Sequence, residues 1–305
     1  MDTKNNIDGK PIQFLNEKVA EIIHKIRSGE KIFLNNDEIL NGIHPHHAAV
    51  NKKMLPLLPV NSKIGDGIFI LSREEIAKMD LPENETVLLK PYYDTTNIDR
   101  YYFDENNNFF IIYTSSKFKQ AKSMNHYPVL KKHLDYYASV ITSDNKPYGL
   151  HRARKQMFFD NPKIVSLRKC GTPTFSYLDK PAYVTAEWYC ILTRKLNMKY
   201  LTCLLNSSLI KFWLLKQGKM QGNIFQIDKE PLENIPIALP SEKIEREVCQ
   251  LYESIVSKKK NNKFCDTKNL ERKIDEIIFE EYNIIDCERK IILDTLQKWD
   301  NSYKK

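Results

Sequence analysis

The chain has 305 residues, a formal net charge of +8 and a hydrophobic fraction of 42%. This apolar content is enough to build a packed core, so the composition excludes an intrinsically disordered chain, and the length suits one large domain or two modest ones. No uninterrupted apolar run approaches the length of a membrane span, and the mild basic excess suits an anionic partner without requiring one.

The six cysteines form no Cys-x-x-Cys pair. Two of them, Cys203 and Cys249, fall on apolar helical faces, where cysteine behaves as a small hydrophobic residue. Since no secretory signal sequence is apparent, we expect reduced thiols in a cytoplasmic protein.

The N-terminal part predicts a helix followed by a loop that contains histidines. Apolar residues recur at helical spacing from Phe14 to Ser28, and the helix is expected to end near Gly29. The loop from Ile39 to Val50 carries His44, His46 and His47. Their spacing is not an established metal-ligand pattern, and no cysteine or carboxylate partner is nearby. A polar loop, either exposed or facing DNA, is therefore favoured over a metal site.

Short strands and a short helix are predicted in the next segment. Ile64 to Leu71 reads as a turn that leads into a buried strand, Ser72 caps a helix, and Phe109 to Tyr113 is another strand. Cations alternate with aromatic residues in Lys90–Tyr93 and Arg100–Phe103. Such mixtures either stack on nucleic-acid bases or fill half-buried strands, and the sequence leaves both alternatives open.

A basic cluster follows a predicted helix over Tyr127 to Ala138. Turn-forming residues from Asp144 to Gly149 lead into the cluster, and Ile164 to Lys169 reads as a buried strand that ends in two cations. Arginine suits guanine edges and phosphates, and lysine suits phosphates, so a contact role is favoured over a solvated turn. The candidate contact residues of this region are Lys146, Tyr148, His151, Arg152, Arg154, Lys155, Arg168 and Lys169.

The stretch from Tyr200 to Pro240 predicts a helix, an exposed turn and a returning strand. The helix has a broad apolar face and is expected to end at Gly218. A short polar turn then presents Lys219, Gln221 and Asn223. An extended apolar run begins at Ile224, and Pro236 and Pro240 exclude a helix near its end.

From Ser241 onward the pattern is helical. Apolar stripes predict one helix from Ser241 to Ser257, a second over Leu270 to Tyr282, and a third from Asp286. These stripes pack either on the rest of the chain or on a partner helix, and the sequence does not decide between the two.

The sequence shows none of the catalytic motifs that we sought. A DNA methyltransferase needs a glycine-rich cofactor loop and an Asn/Asp-Pro-Pro-aromatic segment, and Asn161-Pro162-Lys163 is the nearest fragment. Asp66, Glu74 and Lys78 have the residue types of a metal-dependent nuclease, but the last two are expected to pair on an exposed helix. A binding module is therefore favoured over an enzyme.

A series of segments spread between Gly42 and Asp286 shows the order found in a known protein family. They are Gly65–Phe69 with Leu71-Ser72, Lys90–Tyr93, Ile111–Thr114, Ile141–Arg154, Ile164–Cys170, Leu204–Ser207 and Leu270–Glu276. This series resembles the TaqI-like specificity domain, or target recognition domain, of bacterial type IIG restriction-modification enzymes, and more loosely the specificity subunits of type I systems. In that family a nuclease and an adenine-N6 methyltransferase precede the domain, and neither is found in this chain.

The resemblance implies an α+β fold in which a mixed, curved β-sheet has flanking helices and a C-terminal helical segment. We expect a helical lead-in over residues 1–30, a DNA target recognition domain over 31–240 and the helical segment over 241–305. The chain is then either a specificity module cut from a larger enzyme or a separate subunit that serves one.

The implied function is sequence-specific binding of double-stranded DNA, without enzymatic activity of its own. S-adenosylmethionine and Mg²⁺ are expected on a partner methyltransferase or endonuclease, and no cofactor is expected in this chain. Arg152, Arg154, Lys155 and Arg168 are expected at phosphates or bases, and Lys219, Gln221 and Asn223 in a groove, because amides suit adenine and arginine suits guanine. The three histidines of the loop form a weaker third contact.

Two other functions stay open. The helical segment could dock a methyltransferase while the basic loops only aid solubility, which would make the chain a protein-interaction subunit. Alternatively, the histidine loop could hold the metal of a cryptic nuclease. Retention on heparin with a duplex-binding assay, and metal analysis of the purified protein, distinguish these cases.

Overall fold

A computed structural model describes residues 17–303 of the chain. Within this range the helices are α1 (Glu17–Arg27), α2 (Arg73–Lys78), α3 (Glu83–Thr86), α4 (Pro128–Tyr136), α5 (Met157–Asp160), α6 (Met198–Asn206), α7 (Ser208–Gln217), α8 (Lys229–Glu233), α9 (Glu242–Asn261), α10 (Lys268–Glu281) and α11 (Asp286–Tyr303). None of these helices is long and apolar enough to cross a membrane.

The strands are short and form several small sheets. They are β1 (Ile39–Asn41), β2 (Ile70–Ser72), β3 (Leu89–Tyr93), β4 (Ile98–Asp99), β5 (Tyr102–Phe103), β6 (Phe109–Ile112), β7 (Lys163–Leu167), β8 (Lys169–Cys170), β9 (Phe175–Leu178), β10 (Tyr183–Val184), β11 (Trp188–Ile191), β12 (Lys219–Gln221) and β13 (Ile224–Gln226). The sheet orders are β1-β11-β7-β9, β10-β3-β6-β2, β12-β13-β8 and β4-β5. Only the β10–β3 pair among these is parallel, so the predicted α+β class with a mixed sheet is confirmed.

The sheet β1-β11-β7-β9 lies between two hydrophobic cores. Ile164 pairs with Ile191 and Val165 pairs with Cys190 across β7 and β11. The first pair belongs to the helical core, which includes buried residues of α1, α6, α7, α9, α10 and α11. The second pair belongs to the mixed-sheet core, which includes residues of β2, β3, β6 and α4. Successive side chains of a strand point to opposite faces, so one sheet stabilises both cores.

The predicted helix over Tyr200 to Leu215 is in fact two helices, because Ser207 leaves the helical conformation. Its backbone is extended, with φ −65° and ψ 156°, and its Oγ accepts a hydrogen bond from the Ile210 amide, which begins α7. The Asn206 side chain pairs with the backbone of Phe175 on β9, donating to the carbonyl at 2.8 Å and accepting from the amide at 3.1 Å. The polar residues at this break therefore anchor the helices to the sheet.

The C-terminal helices pack on the rest of the chain. The Tyr282 hydroxyl donates to the Pro236 carbonyl at 2.6 Å and accepts from the Ala238 amide at 3.0 Å. Asp275 on α10 accepts hydrogen bonds from the amide and the hydroxyl of Ser208. The alternative that the sequence left open is thus decided in favour of packing within the chain.

Other predicted elements agree with the structure except at their ends. The helix α1 ends before Gly29, which has a φ of +76°, and the predicted start at Phe14 lies outside the described residues. The helix α9 continues past Ser257 to Asn261. The exposed turn predicted after Gly218 is shorter than expected, because Lys219–Gln221 form β12 and only Gly222 and Asn223 turn before β13, which pairs with β8. The domain boundaries at residues 30 and 240 stay predictions.

Candidate nucleic-acid interface

The histidine loop and the basic segment after Gly149 lie side by side, although they are far apart in the sequence. The His44 amide donates to the Arg152 carbonyl at 3.2 Å, and the Arg152 amide donates to the His44 carbonyl at 3.1 Å. These two residues form an isolated antiparallel bridge. Two of the three predicted contact segments therefore form one surface.

Four imidazoles meet at this bridge and form the histidine cluster: His44, His46, His47 and His151. The ring centroids of His46 and His47 are 4.2 Å apart, and those of His46 and His151 are 5.1 Å apart. His44 and His46 are exposed, whereas His47 has an exposed fraction of only 7%. The His47 Nε2 atom accepts a hydrogen bond from the Thr142 amide at 3.2 Å. His47 is thus the buried member of the cluster and is fixed by its hydrogen bond with Thr142.

The surroundings of His44 and His47 oppose protonation of these two imidazoles. Burial, followed by the neighbouring imidazoles, lowers the pKa of His47 to about 4, and the same causes lower the pKa of His44. His44 and His47 are therefore neutral at neutral pH. Among residues 17–303, no group of three or more His, Cys, Asp or Glu side chains has the arrangement needed to hold a metal ion.

Arg152 at the bridge is exposed to solvent, and so are Lys146 and Lys155 on either side of it in the sequence. Within the described part of the chain, no carboxylate lies within ion-pair distance of these three side chains. Their charges are thus available to an anionic ligand. His151 is half-buried, and its Nδ1 lies 3.5 Å from a carboxylate oxygen of Asp144.

Arg154 lies beneath this surface and also holds it in place. Its φ of +70° is unusual for a residue with a side chain. The guanidinium donates to the Gly42 carbonyl at 3.3 Å and to the Asn41 Oδ1 at 3.1 Å. Arg154 therefore ties the basic segment to the end of β1, and only part of its charge faces outward.

A second group of the predicted residues surrounds Asp228, which the sequence analysis missed. Arg168 Nε donates to Asp228 Oδ1 at 2.7 Å, and Lys219 Nζ lies 3.6 Å from the other oxygen. Gln226 also donates to this carboxylate. Although burial opposes it, the hydrogen bonds from Arg168 and Gln226 hold the pKa of Asp228 below its usual value. Asp228 is therefore ionised and partly neutralises the two cations.

Tyr189 on β11 connects the two groups. Burial raises the pKa of Tyr189, and Asp228 raises it further, whereas Arg168 and Arg154 lower it. The phenol therefore interacts with charges of both groups. A half-buried tyrosine in a strand gives no distinctive sequence signal, which is why neither Tyr189 nor its link was predicted.

The β12–β13 hairpin forms the outer end of the second group. Its turn is at Gly222, which has a φ of +58°, and Lys219, Gln221 and Asn223 are exposed along it. Lys169 on β8 is also exposed, and its backbone pairs with Gln226 of the hairpin. Of the amides predicted to enter a groove, Gln221 thus projects from a paired strand and Asn223 from the turn of the hairpin.

Several aromatic residues considered as base-stacking groups lie inside the fold. Tyr148 has an exposed fraction of 5%, and its hydroxyl donates to Asp135 on α4 at 2.6 Å. The Tyr148 side chain therefore stabilises the turn in which it lies and does not contact a ligand. Of the aromatic residues of β3 and β5, Tyr92, Tyr93 and Phe103 are buried and Tyr102 is half-buried, which decides the open alternative in favour of half-buried strands.

Comparison with known proteins places part of the chain in a described domain class. Residues 90–237 match the TaqI-like C-terminal specificity domain. The matched residues include β3 to β13 and therefore both groups of cations, whereas the histidine loop precedes them.

The chain is also similar to whole proteins of this kind. It is 24% identical over 285 residues to the type II methyltransferase M.MjaIV of Methanocaldococcus jannaschii, covering 85% of this chain and 93% of that protein. The type IIL restriction-modification enzyme MmeI, solved in complex with DNA, superposes with a TM-score of 0.59 at 12% identity over 89% of this chain. The type IIG restriction endonuclease BpuSI gives a TM-score of 0.42 at 14% identity over 87% of this chain. The chain spans 36% and 33% of these two solved enzymes.

Proposed function

We propose that the protein binds double-stranded DNA at a specific sequence on behalf of a restriction-modification enzyme, because residues 90–237 match the TaqI-like C-terminal specificity domain. The observation that carries the proposal is the convergence of the histidine loop with the basic segment. Arg152 lies at the bridge itself, and the exposed, unpaired side chains of Lys146 and Lys155 are close to it in the sequence. Cations free of carboxylate partners can neutralise phosphates on a duplex.

In this proposal the two groups of residues contact different parts of the DNA. Arg152 and its neighbouring lysines contact phosphates and fix the orientation of the protein on DNA. The hairpin places Gln221 and Asn223 against base edges, because amides can donate to and accept from adenine in the major groove. MmeI, an enzyme of similar fold, was solved in complex with DNA, which supports a DNA-binding role in general.

We further propose that a partner subunit or domain performs the chemistry in the cytoplasm. This partner is a methyltransferase or endonuclease and holds S-adenosylmethionine and Mg²⁺. The limited coverage of MmeI supports this division, because the chain spans only 36% of that enzyme.

A second candidate function is DNA methyl transfer by this chain itself. It is favoured by the match to nearly the full length of a type II methyltransferase. Incubation with a duplex and labelled S-adenosylmethionine, in the absence of any partner, distinguishes the two candidates. Incorporation of label into the duplex by the isolated chain would establish the second function.

Selection from a pool of random duplexes tests the main proposal. We expect enrichment of one sequence, and binding to it should weaken linearly on a plot of log affinity against log salt. The Arg152→Ala variant should reduce the slope of that plot by about 0.9, the loss of one phosphate contact. Binding of no duplex at low salt, with or without the partner enzyme, would refute the proposal.

A further inference from the structure

Residues 51–65 form a projecting loop, here called the aliphatic loop, which leaves the chain directly after the histidine loop. The loop is closed at its base, because the Val50 amide donates to the Asp66 carbonyl at 2.8 Å and the Gly65 amide donates to the Val50 carbonyl at 2.9 Å. Ala49 and Gly67 form an antiparallel bridge beneath it. The loop therefore has a fixed origin next to the proposed DNA surface.

The outer side of this loop exposes large aliphatic side chains to solvent. The exposed fractions are 63% for Leu57, 101% for Val60 and 62% for Ile64. The inner side is different, because the partly buried Met54, Leu55 and Leu58 pack against the mixed-sheet core. Leu57, Val60 and Ile64 therefore do not anchor the loop to the core.

The exposed aliphatic groups are held in place rather than loosely tethered. The Ser139 hydroxyl donates to the Leu57 carbonyl at 2.7 Å, and the Ser62 hydroxyl lies 3.0 Å from that of Tyr136. Pro56 and Pro59 further restrict the backbone. An ordered loop that keeps apolar groups in water indicates a surface that a partner covers.

The charge of the loop indicates the partner. Residues 51–65 include Lys52, Lys53 and Lys63, all exposed, and contain no Asp or Glu. The nearby carboxylate of Asp66 accepts a hydrogen bond from the Lys63 amide at 2.7 Å. Aliphatic groups flanked by cations fit duplex DNA, where lysines meet phosphates and apolar side chains meet thymine methyl groups or unstacked base steps.

The position of the loop favours the same partner. The segment from Tyr136 to Thr142 touches the aliphatic loop through Ser139 and the histidine cluster through Thr142. The two surfaces are therefore neighbours. We propose that the aliphatic loop is a second DNA-contacting element, with Lys52 and Lys53 on phosphates and Leu57 and Val60 against the bases. This inference rests on the proposed DNA-binding function.

Two double variants test the inference on the full chain, with the duplex recovered by selection as the probe. Leu57→Ser with Val60→Ser should weaken binding about tenfold, because apolar contact is lost, and should leave the salt slope unchanged. Lys52→Ala with Lys53→Ala should reduce the slope by about 1.8, the loss of two phosphate contacts. All of these side chains are exposed or project from the loop, so thermal melting should match that of the wild type.

Matched controls come from exposed positions outside the loop. Val87→Ser removes an equally aliphatic exposed side chain at the end of α3, and Lys243→Ala with Lys290→Ala removes two exposed lysines of the C-terminal helices. Both controls should bind the duplex as the wild type does. Loss of affinity in the loop variants alone would support the inference.

The failures of the inference and of the proposed function differ. If the wild type binds no duplex, both the proposed function and the inference are wrong. If it binds and the loop variants bind equally well, the proposed function stands and the inference is wrong. Sedimentation with phosphatidylglycerol vesicles gives the remaining outcome: binding to vesicles that depends on Leu57 and Val60, with unchanged duplex affinity, would assign the loop to a membrane surface instead.

Discussion

Under the proposed function, Asp228 limits how strongly the protein attracts DNA. It neutralises Arg168 directly and Lys219 more weakly, while Gln226 completes its hydrogen bonds. A cation that already has a carboxylate partner gains less from a phosphate, and the pairing fixes the orientation of the arginine. We infer that Arg168 contributes more to geometry than to general affinity.

Replacement of Asp228 by Asn should therefore increase affinity for DNA of any sequence. Two cations are released, so the slope of log affinity against log salt should steepen by about one to two. Discrimination between the selected duplex and a scrambled one should fall, since a released arginine binds phosphates without regard to sequence. Competitive titration of the two duplexes measures both effects. An unchanged slope would show that these cations lie away from the DNA.

His47 should make the folded protein sensitive to acid. The unfolded chain takes up the proton near the ordinary pKa of 6.5, whereas the folded protein does so only near pH 4. Between these values the unfolded state binds more protons, so the free energy of unfolding decreases as the pH falls. From pH 7.5 to pH 5, the wild type should lose about 1–2 kcal/mol more than His47→Gln, measured by urea unfolding. Equal losses in the two proteins would contradict this assignment.

At the level of single elements, periodicity predicted the helices and strands well where packing on one face determines them. The helix that begins after Ser241 and the strand at Lys163–Leu167 are examples. Local periodicity could not show that Ser207 interrupts a helix, because the cause is a contact between Asn206 and the distant residue Phe175. The break depends on tertiary structure that the apolar pattern does not contain.

The same limit applies to the candidate site. Residue type correctly marked the unusual composition of the histidine loop and the basic segment, but their contact is a bridge between two remote parts of the chain. Tyr148 illustrates the opposite error, since an aromatic residue beside a basic cluster turned out to be part of the core. Chemical type alone does not report which way a side chain points.

The hairpin of β12 and β13 offers a prediction at this scale. Its amides are exposed and have no charge, so Gln221→Ala with Asn223→Ala should reduce discrimination among duplexes without changing the salt slope. Loss of one good base contact should cost about 1–3 kcal/mol in discrimination. Repeating the selection with the variant would identify the base positions that become degenerate. Selection of the wild-type sequence with full stringency would exclude the hairpin from base recognition.

Over the whole molecule, the shared sheet joins the two cores, and the C-terminal contacts hold α10 to the helical core. Residues of β7 and β11 are buried in both, and Tyr282 ties α10 to the segment before Ser241. We therefore expect the described residues to unfold in one cooperative transition.

Removal of one hydroxyl tests this expectation. Tyr282→Phe leaves the buried Ala238 amide and the Pro236 carbonyl without their partner, which should cost about 1–3 kcal/mol. Calorimetry should show one peak in both proteins, with a lower midpoint for the variant. Two separate peaks, of which one moves, would indicate that the C-terminal helices melt independently.

The bridge between Ala49 and Gly67 has a consequence for variation among relatives. Because this bridge closes the loop at its base, its exposed part can differ in length or composition with little disturbance to either core, as long as the apolar residues that pack against the mixed-sheet core are kept. Under the proposed function, exchange of this loop between relatives would change the DNA sequence that is recognised, while the two cores stay the same.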